Sequence, residues 1–117
     1  GGEMQLGQVM RLMPSVDGKN DRLQLFLESK DKNLYNFGDN LTVCPNGHLL
    51  VCEDQYTDVV DNHLRGVTPN GEVYNFAKLH AQTELAGACF SPDGRTLFVN
   101  LYSPSKTLAI TGPWMMS

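Results

Sequence analysis

The stretch Asp39-Asn40-Leu41-Thr42-Val43-Cys44-Pro45-Asn46-Gly47-His48-Leu49-Leu50-Val51-Cys52-Glu53 decides the fold. Two short apolar runs flank Pro45-Asn46-Gly47. Asn-Gly supplies the positive φ angles that a tight hairpin turn needs, so the runs read as two antiparallel strands. The device returns at Pro69-Asn70-Gly71 and Pro92-Asp93-Gly94, at successive spacings of 24 and 23 residues, with Asp17-Gly18 a weaker fourth. Ala86–Asn100 aligns with Asp39–Glu53 without a gap, and Ser91-Pro92-Asp93-Gly94 falls over Cys44-Pro45-Asn46-Gly47.

Around these turns the apolar runs predict nine short strands: Gln8–Leu12, Leu23–Leu27, Leu41–Cys44, Leu49–Cys52, Leu64–Thr68, Glu72–Phe76, Ala88–Phe90, Thr96–Val99 and Thr107–Ile110. Only Phe76–Glu84 has room for a helical turn, on too brief a periodicity to assign one. The expected fold class is all-β, built of antiparallel four-stranded units. Units of about 40–50 residues are the mark of propeller blades, and strands apolar on both faces suit a blade packed between neighbours. The chain then divides into the end of one blade (1–36), a complete blade (37–80) and the start of the next (81–117). The competing fold is a small β-sandwich with a coincidental turn rhythm. At 117 residues there are about two blades of a β-propeller, too few to close one.

Composition narrows function. Nine basic residues against thirteen acidic ones give a net charge of −4. No Lys/Arg cluster offers the patch that nucleic acid requires. The longest apolar run, Leu49–Cys52, spans no membrane, and no leader pattern is expected in the stretch as given. Three cysteines, Cys44, Cys52 and Cys89, form no CxxC pair and read as small hydrophobes, so neither a disulfide framework nor a zinc site is expected.

The turn sets the register. With Cys44 and His48 flanking it, Val43 faces Leu49, Leu41 faces Val51, and Asp39 faces Glu53, all on one side of the ladder. Two opposed carboxylates beside an aliphatic ladder are destabilising unless a proton or a cation is shared. Calcium or a carboxylate-bridged transition metal suits such ligands. In the second hairpin Asn100 takes the place of Glu53 and Ala86 that of Asp39, with Glu84 on the same side. Asp39, Glu53, Glu84 and Asn100 are therefore expected to converge at a channel mouth, while Asp54 points away unless the strand has ended. The plainer reading is a set of solvated strand ends.

Other clusters carry less. Asp58, Asp61 and Asn62 resemble half a calcium loop but lack the glycine and terminal glutamate of an EF-hand. His48, His63 and His80 share no spacing, and no nucleophile elbow is present. Arg65 and Arg95 could meet an anion, yet no Gly-rich phosphate loop accompanies them. Met115-Met116 reads as tail.

Several ordered motifs now combine. They are Asp39–Gly47 with Leu50–Asp54, Leu64–Glu72 with Phe76-Ala77, Glu84–Gly87 running into Phe90–Asn100, and Ser103-Pro104 before Leu108–Trp114. Together they resemble the C-terminal part of PhoX-type alkaline phosphatases. Before Asp39 the likeness is looser, at Leu6–Val9 and Leu25–Ser29.

The resemblance implies a six-bladed propeller whose channel holds calcium and iron and hydrolyses phosphate monoesters, in bacterial enzymes that are periplasmic or extracellular. It carries Asp39, Glu53 and Glu84 over as metal ligands, with Asp54 and Asn100 behind them. The family's enzymes are several times longer, and their iron-binding cysteine and phosphate-gripping basic residues have no counterparts here. The chain alone is thus expected to be inactive on a phosphate-ester substrate. A homo-oligomer is a further expectation, three copies joining head to tail into a closed ring. The alternative function is a non-catalytic calcium-binding propeller piece serving as a binding or assembly module. A calcium-dependent lactonase-like propeller fits the motifs less well.

Overall fold

A computed structural model of the chain describes residues 1–55 and 57–114; Met115 and Met116 lie outside the described residues. Nine strands form three antiparallel sheets, each in chain order. β1 (Gln8–Met13) pairs with β2 (Arg22–Glu28) in sheet A. β3 (Gly38–Val43), β4 (Leu49–Glu53), β5 (His63–Val67) and β6 (Val73–Lys78) make sheet B. β7 (Leu85–Phe90), β8 (Thr96–Leu101) and β9 (Lys106–Thr111) make sheet C. No helix occurs among the described residues: β6 runs on to Lys78, taking up the start of the Phe76–Glu84 segment.

The turns do what their composition requires. Gly47, Gly71 and Gly94 stand at φ of 83°, 86° and 69°, a region that only glycine enters at no steric cost. The first and third Pro-Asx-Gly hairpins nevertheless differ by one residue. The N–H of Cys44 donates to the His48 carbonyl, whereas that of Ser91 donates to the Thr96 carbonyl. The gapless alignment therefore slips by one position on the returning strand. Leu97, not Thr96, stands where Leu49 stands, and Leu101, not Asn100, where Glu53 stands.

Sheet B is the middle layer. Alternation along β4 sends Leu49 and Val51 to one face and Leu50 and Cys52 to the other. Val51 and Val67 pack with Val9 and Tyr35, flanked by Phe26 and Leu27 of sheet A. On the opposite face Leu50, Cys52 and Leu64 pack with Leu85, Ala88, Leu97 and Val99 of sheet C. Leu50, Cys52, Val67 and Leu97 are fully buried. Each large aliphatic side chain so enclosed contributes about 1.5–3 kcal/mol.

The β3–β4 and β7–β8 hairpins each carry a β-bulge on their first strand. In β3 the register shifts between Gly38 and Leu41, and in β7 between Ala86 and Cys89. An extra residue on one strand turns the following side chains to the other face. That displacement decides where the acidic residues go.

Candidate metal centre

Asp39 does not face Glu53. The β3 bulge places Gly38 opposite Glu53, so Asp39 turns to the side of β3 that looks toward sheet C. β4 ends at Glu53, and Asp54, whose N–H donates to the Phe37 carbonyl at 2.8 Å, also projects to that side. Glu84 arrives from the residue before β7. One carboxylate oxygen from each of Asp39, Asp54 and Glu84 lies within 4.8 Å of the other two. The cluster sits at the seam between sheets B and C, next to a shallow cavity of about 360 Å³ lined by Asp54, Asn62, Thr83, Glu84 and Tyr102 among others.

Among the described residues the ion pairs involve Glu53 and Asp61, and none reaches the cluster. Desolvation, then the charge of Asp54 and a hydrogen bond with it, then the charge of Asp39, hold the Glu84 carboxyl above its ordinary value. Asp39 is exposed and Asp54 and Glu84 are half-buried, and like charges this close favour a shared proton or a cation. An oxygen-only donor set of three acids suits a hard ion such as calcium. Cys52 lies beneath the same seam, but burial above all pushes its thiol up to about 11. It offers no thiolate near neutral pH.

Glu53 has a different job. Its side chain is fully buried on the sheet A side and every lone pair is occupied. Oε1 accepts from the Asn36 N–H at 2.8 Å and from Arg65 Nε at 2.7 Å. Oε2 accepts from the His63 N–H at 2.9 Å and from His63 Nδ1 at 3.1 Å. Nδ1 also faces the Asp61 carbonyl at 3.0 Å, and with only acceptors around it this nitrogen carries the proton. Arg65, also fully buried, gives a second hydrogen bond to Asn75 Oδ1. Its charge is spent inside the fold, not offered to an anion. Asn100 lies opposite Ala86 as the turn register predicts, but Leu101 takes the place equivalent to Glu53, and Asn100 Oδ1 accepts from Thr107 Oγ1 at 2.7 Å.

Several of the remaining candidates resolve as structural groups. Asp61 pairs with Lys78 at 2.6 Å, and Asn62 is buried, accepting from the Gln55 N–H and donating to the Thr83 carbonyl. His48 Nδ1 lies 2.9 Å from the Tyr74 hydroxyl. Arg95 serves through its carbonyl, which accepts from Trp114 Nε1. The partners of Glu53 were not expected from sequence. Their only advance signal was that a buried acid at the end of an aliphatic strand demands donors, and His63 and Arg65 both lie on the adjacent strand.

A family model described as "Alkaline phosphatase PhoX" matches residues 2–105. The chain belongs to the PhoX alkaline phosphatase family. No curated protein and no solved structure matches it. PhoX proteins are metal-dependent phosphatases of the secreted or periplasmic kind, and the carboxylate cluster of this member falls inside the matched stretch.

Proposed function

We propose that this PhoX-family chain is a C-terminal propeller piece that supplies carboxylate ligands to the metal site of a phosphomonoesterase and has no turnover by itself. The observation that supports this most is the convergence of Asp39, Asp54 and Glu84, which no ion pair among the described residues reaches. The succession of two, four and three strands is compatible with blades divided at 1–36, 37–80 and 81–117. Asp39, Asp54 and Glu84 are the residues that would hold calcium. Glu53 and Asn100, engaged with Arg65, His63 and Thr107, enter that set only if those bonds are given up.

A bound cation would lower the charge of the phosphoryl group and polarise it toward attack. The chain's own residues do the positioning: the two bulges aim the acids, and Asp54 and Glu84 border the cavity. Iron, by family likeness, depends on ligands beyond these residues. The substrate class is a phosphate monoester, and the setting is bacterial and outside the cytoplasm.

The rival reading keeps calcium and drops catalysis, making the chain a binding or assembly module. Calcium titration by calorimetry, with p-nitrophenyl phosphate turnover measured alongside, separates the readings from their failure. Saturable calcium binding without phosphate release is the expected result for the isolated chain. Absence of calcium binding overturns the site, and steady turnover overturns the claim of inactivity. Binding with turnover restored by added PhoX sequence favours the phosphatase reading over the rival.

A further inference from the structure

Four turns of the chain carry an Asx-Gly pair, and each of their glycines stands at positive φ. In three of them the residue after the glycine donates its backbone N–H to the Asx side chain. Lys19 N–H bonds Asp17 Oδ1 at 3.0 Å, His48 N–H bonds Asn46 Oδ1 at 3.2 Å, and Arg95 N–H bonds Asp93 Oδ1 at 3.1 Å. The β5–β6 turn departs from this rule. There Glu72 N–H donates to Thr68 Oγ1 at 3.1 Å. Asn70 is exposed, and its side chain makes no hydrogen bond among the described residues.

The two Asn-Gly turns are otherwise matched. Proline precedes each asparagine, and both asparagines are exposed. Gly47 N–H donates to the Cys44 carbonyl at 2.9 Å, and Gly71 N–H to the Thr68 carbonyl at 2.9 Å. The glycine φ angles are 83° and 86°. What differs is the first residue of the turn. Sulfur is a weak acceptor, whereas the Thr68 hydroxyl accepts well. It takes the N–H that in the first turn holds the asparagine amide. Both turns lie within sheet B, away from either end of the chain.

We infer that Asn70 is the preferred site of spontaneous deamidation in this chain, and that the Thr68 hydroxyl makes it so by removing the hydrogen bond that restrains Asn46. The Gly71 nitrogen gives up its proton and bonds to Asn70 Cγ. The Cγ–Nδ2 bond breaks, and Nδ2 leaves as ammonia carrying that proton. Solvent water then opens the five-membered imide at either carbonyl, giving aspartate, or isoaspartate with one more carbon in the backbone. A glycine next in sequence has no side chain to hinder the attack. The free Asn70 side chain reaches the attacking nitrogen by bond rotation alone, while Asn46 must first break its hydrogen bond, a difference of about threefold to tenfold in rate. The new carboxylate stands beside Glu72 at the end of sheet B remote from the acid cluster. The inference is therefore independent of calcium binding and of catalysis.

Peptide mass spectrometry of the calcium-free chain, incubated at mildly alkaline pH in water labelled with heavy oxygen, tests it. The label separates acid formed during the incubation from acid already present. Asn70 should convert about threefold to tenfold faster than Asn46. Thr68→Val returns the Glu72 N–H to the asparagine and should slow Asn70 to the rate of Asn46. Cys44→Ser supplies a competing hydroxyl and should speed Asn46. Circular dichroism of each variant is expected to match the parent. In concentrated urea the two sites should react at closely similar rates. Equal rates in the folded chain, or a faster Asn46, overturn the inference. So does an Asn70 preference that persists in urea, because the cause then lies in local sequence and not in the turn. Unchanged rates in both folded variants would likewise remove the Thr68 hydroxyl as the cause.

Discussion

The Gly87 N–H donates to Asn40 Oδ1 at 2.9 Å, tying the bulge of β7 to the bulge of β3. The two bulged strands lie side by side, one carrying Asp39 and the other following Glu84. A single side-chain hydrogen bond thus fixes the spacing of two of the three clustered acids. Gly87 adopts φ of 61°, so its N–H is aimed by a conformation that favours glycine.

Replacing Asn40 by alanine should therefore act twice. Loss of one partly exposed hydrogen bond costs about 1 kcal/mol of folding stability. Loosening the seam should also weaken calcium binding about threefold to tenfold, equivalent to about 0.6–1.4 kcal/mol. Urea unfolding and calorimetric titration measure the two effects. Unchanged calcium affinity in a destabilised Asn40→Ala chain would mean that the bulges do not position the acids.

Glu53 and Asp54 are neighbours with opposite expected behaviour. Glu53→Gln leaves Arg65 buried without its counter-charge, and breaking one partner of a buried pair costs about 3–5 kcal/mol. That is a large fraction of the total stability of about 5–15 kcal/mol for a domain, so the variant should melt well below the parent by circular dichroism. Asp54→Asn removes a partly exposed charge and should leave the spectrum intact while lowering calcium affinity about tenfold or more. A folded Glu53→Gln chain that fails to bind calcium would reverse these roles.

The repeat, the turns and all nine strands were legible because Pro-Asx-Gly fixes hairpins and aliphatic runs fix strands. The face of each acid was not. Side chains alternate, so one extra residue in β3 moves Asp39 from the Glu53 side to the Asp54 side. Gly87 inside an otherwise apolar strand was the available sign of a bulge, and Asn40 stands at the same repeat position. The longer β7–β8 turn was hidden because Ser91–Gly94 carries the same Pro-Asx-Gly pattern as Cys44–Gly47 while the closing hydrogen bond moves to Thr96. Glu53 was singled out as a charge needing compensation. Its compensation comes from Arg65 and His63, which are brought to it by strand pairing that no local pattern reports.

The raised Glu84 carboxyl sets a pH dependence. The folded chain binds this proton more tightly than the unfolded chain, whose group titrates near the ordinary 4.5. Its contribution is therefore fully favourable below that value and is lost as pH rises through the raised folded value. Without calcium, the parent should lose melting temperature across this window relative to Glu84→Gln, which lacks the titration. Saturating calcium should flatten the difference, since the ion replaces the proton. Parallel profiles for parent and variant in chelator would remove Glu84 from the cluster's electrostatics.

The cysteines give the most direct check of the layer order. Burial pushes the thiols of Cys52 and Cys44 each up to about 11. Cys52 is closed between sheets B and C, Cys44 is half-buried, and Cys89 is exposed. Reactivity follows thiolate fraction and access together. Iodoacetamide near pH 8 should label Cys89 first, Cys44 slowly, and Cys52 only when the chain opens. Peptide mass spectrometry over time reads the order. Calcium should slow Cys52 further, because closing the acid seam above it raises the free energy of opening sheet C from sheet B. Cys52 modified as fast as Cys89 in the native chain would mean that sheet C does not cover that face. The acids, which depend on the same contact, would then not be assembled either.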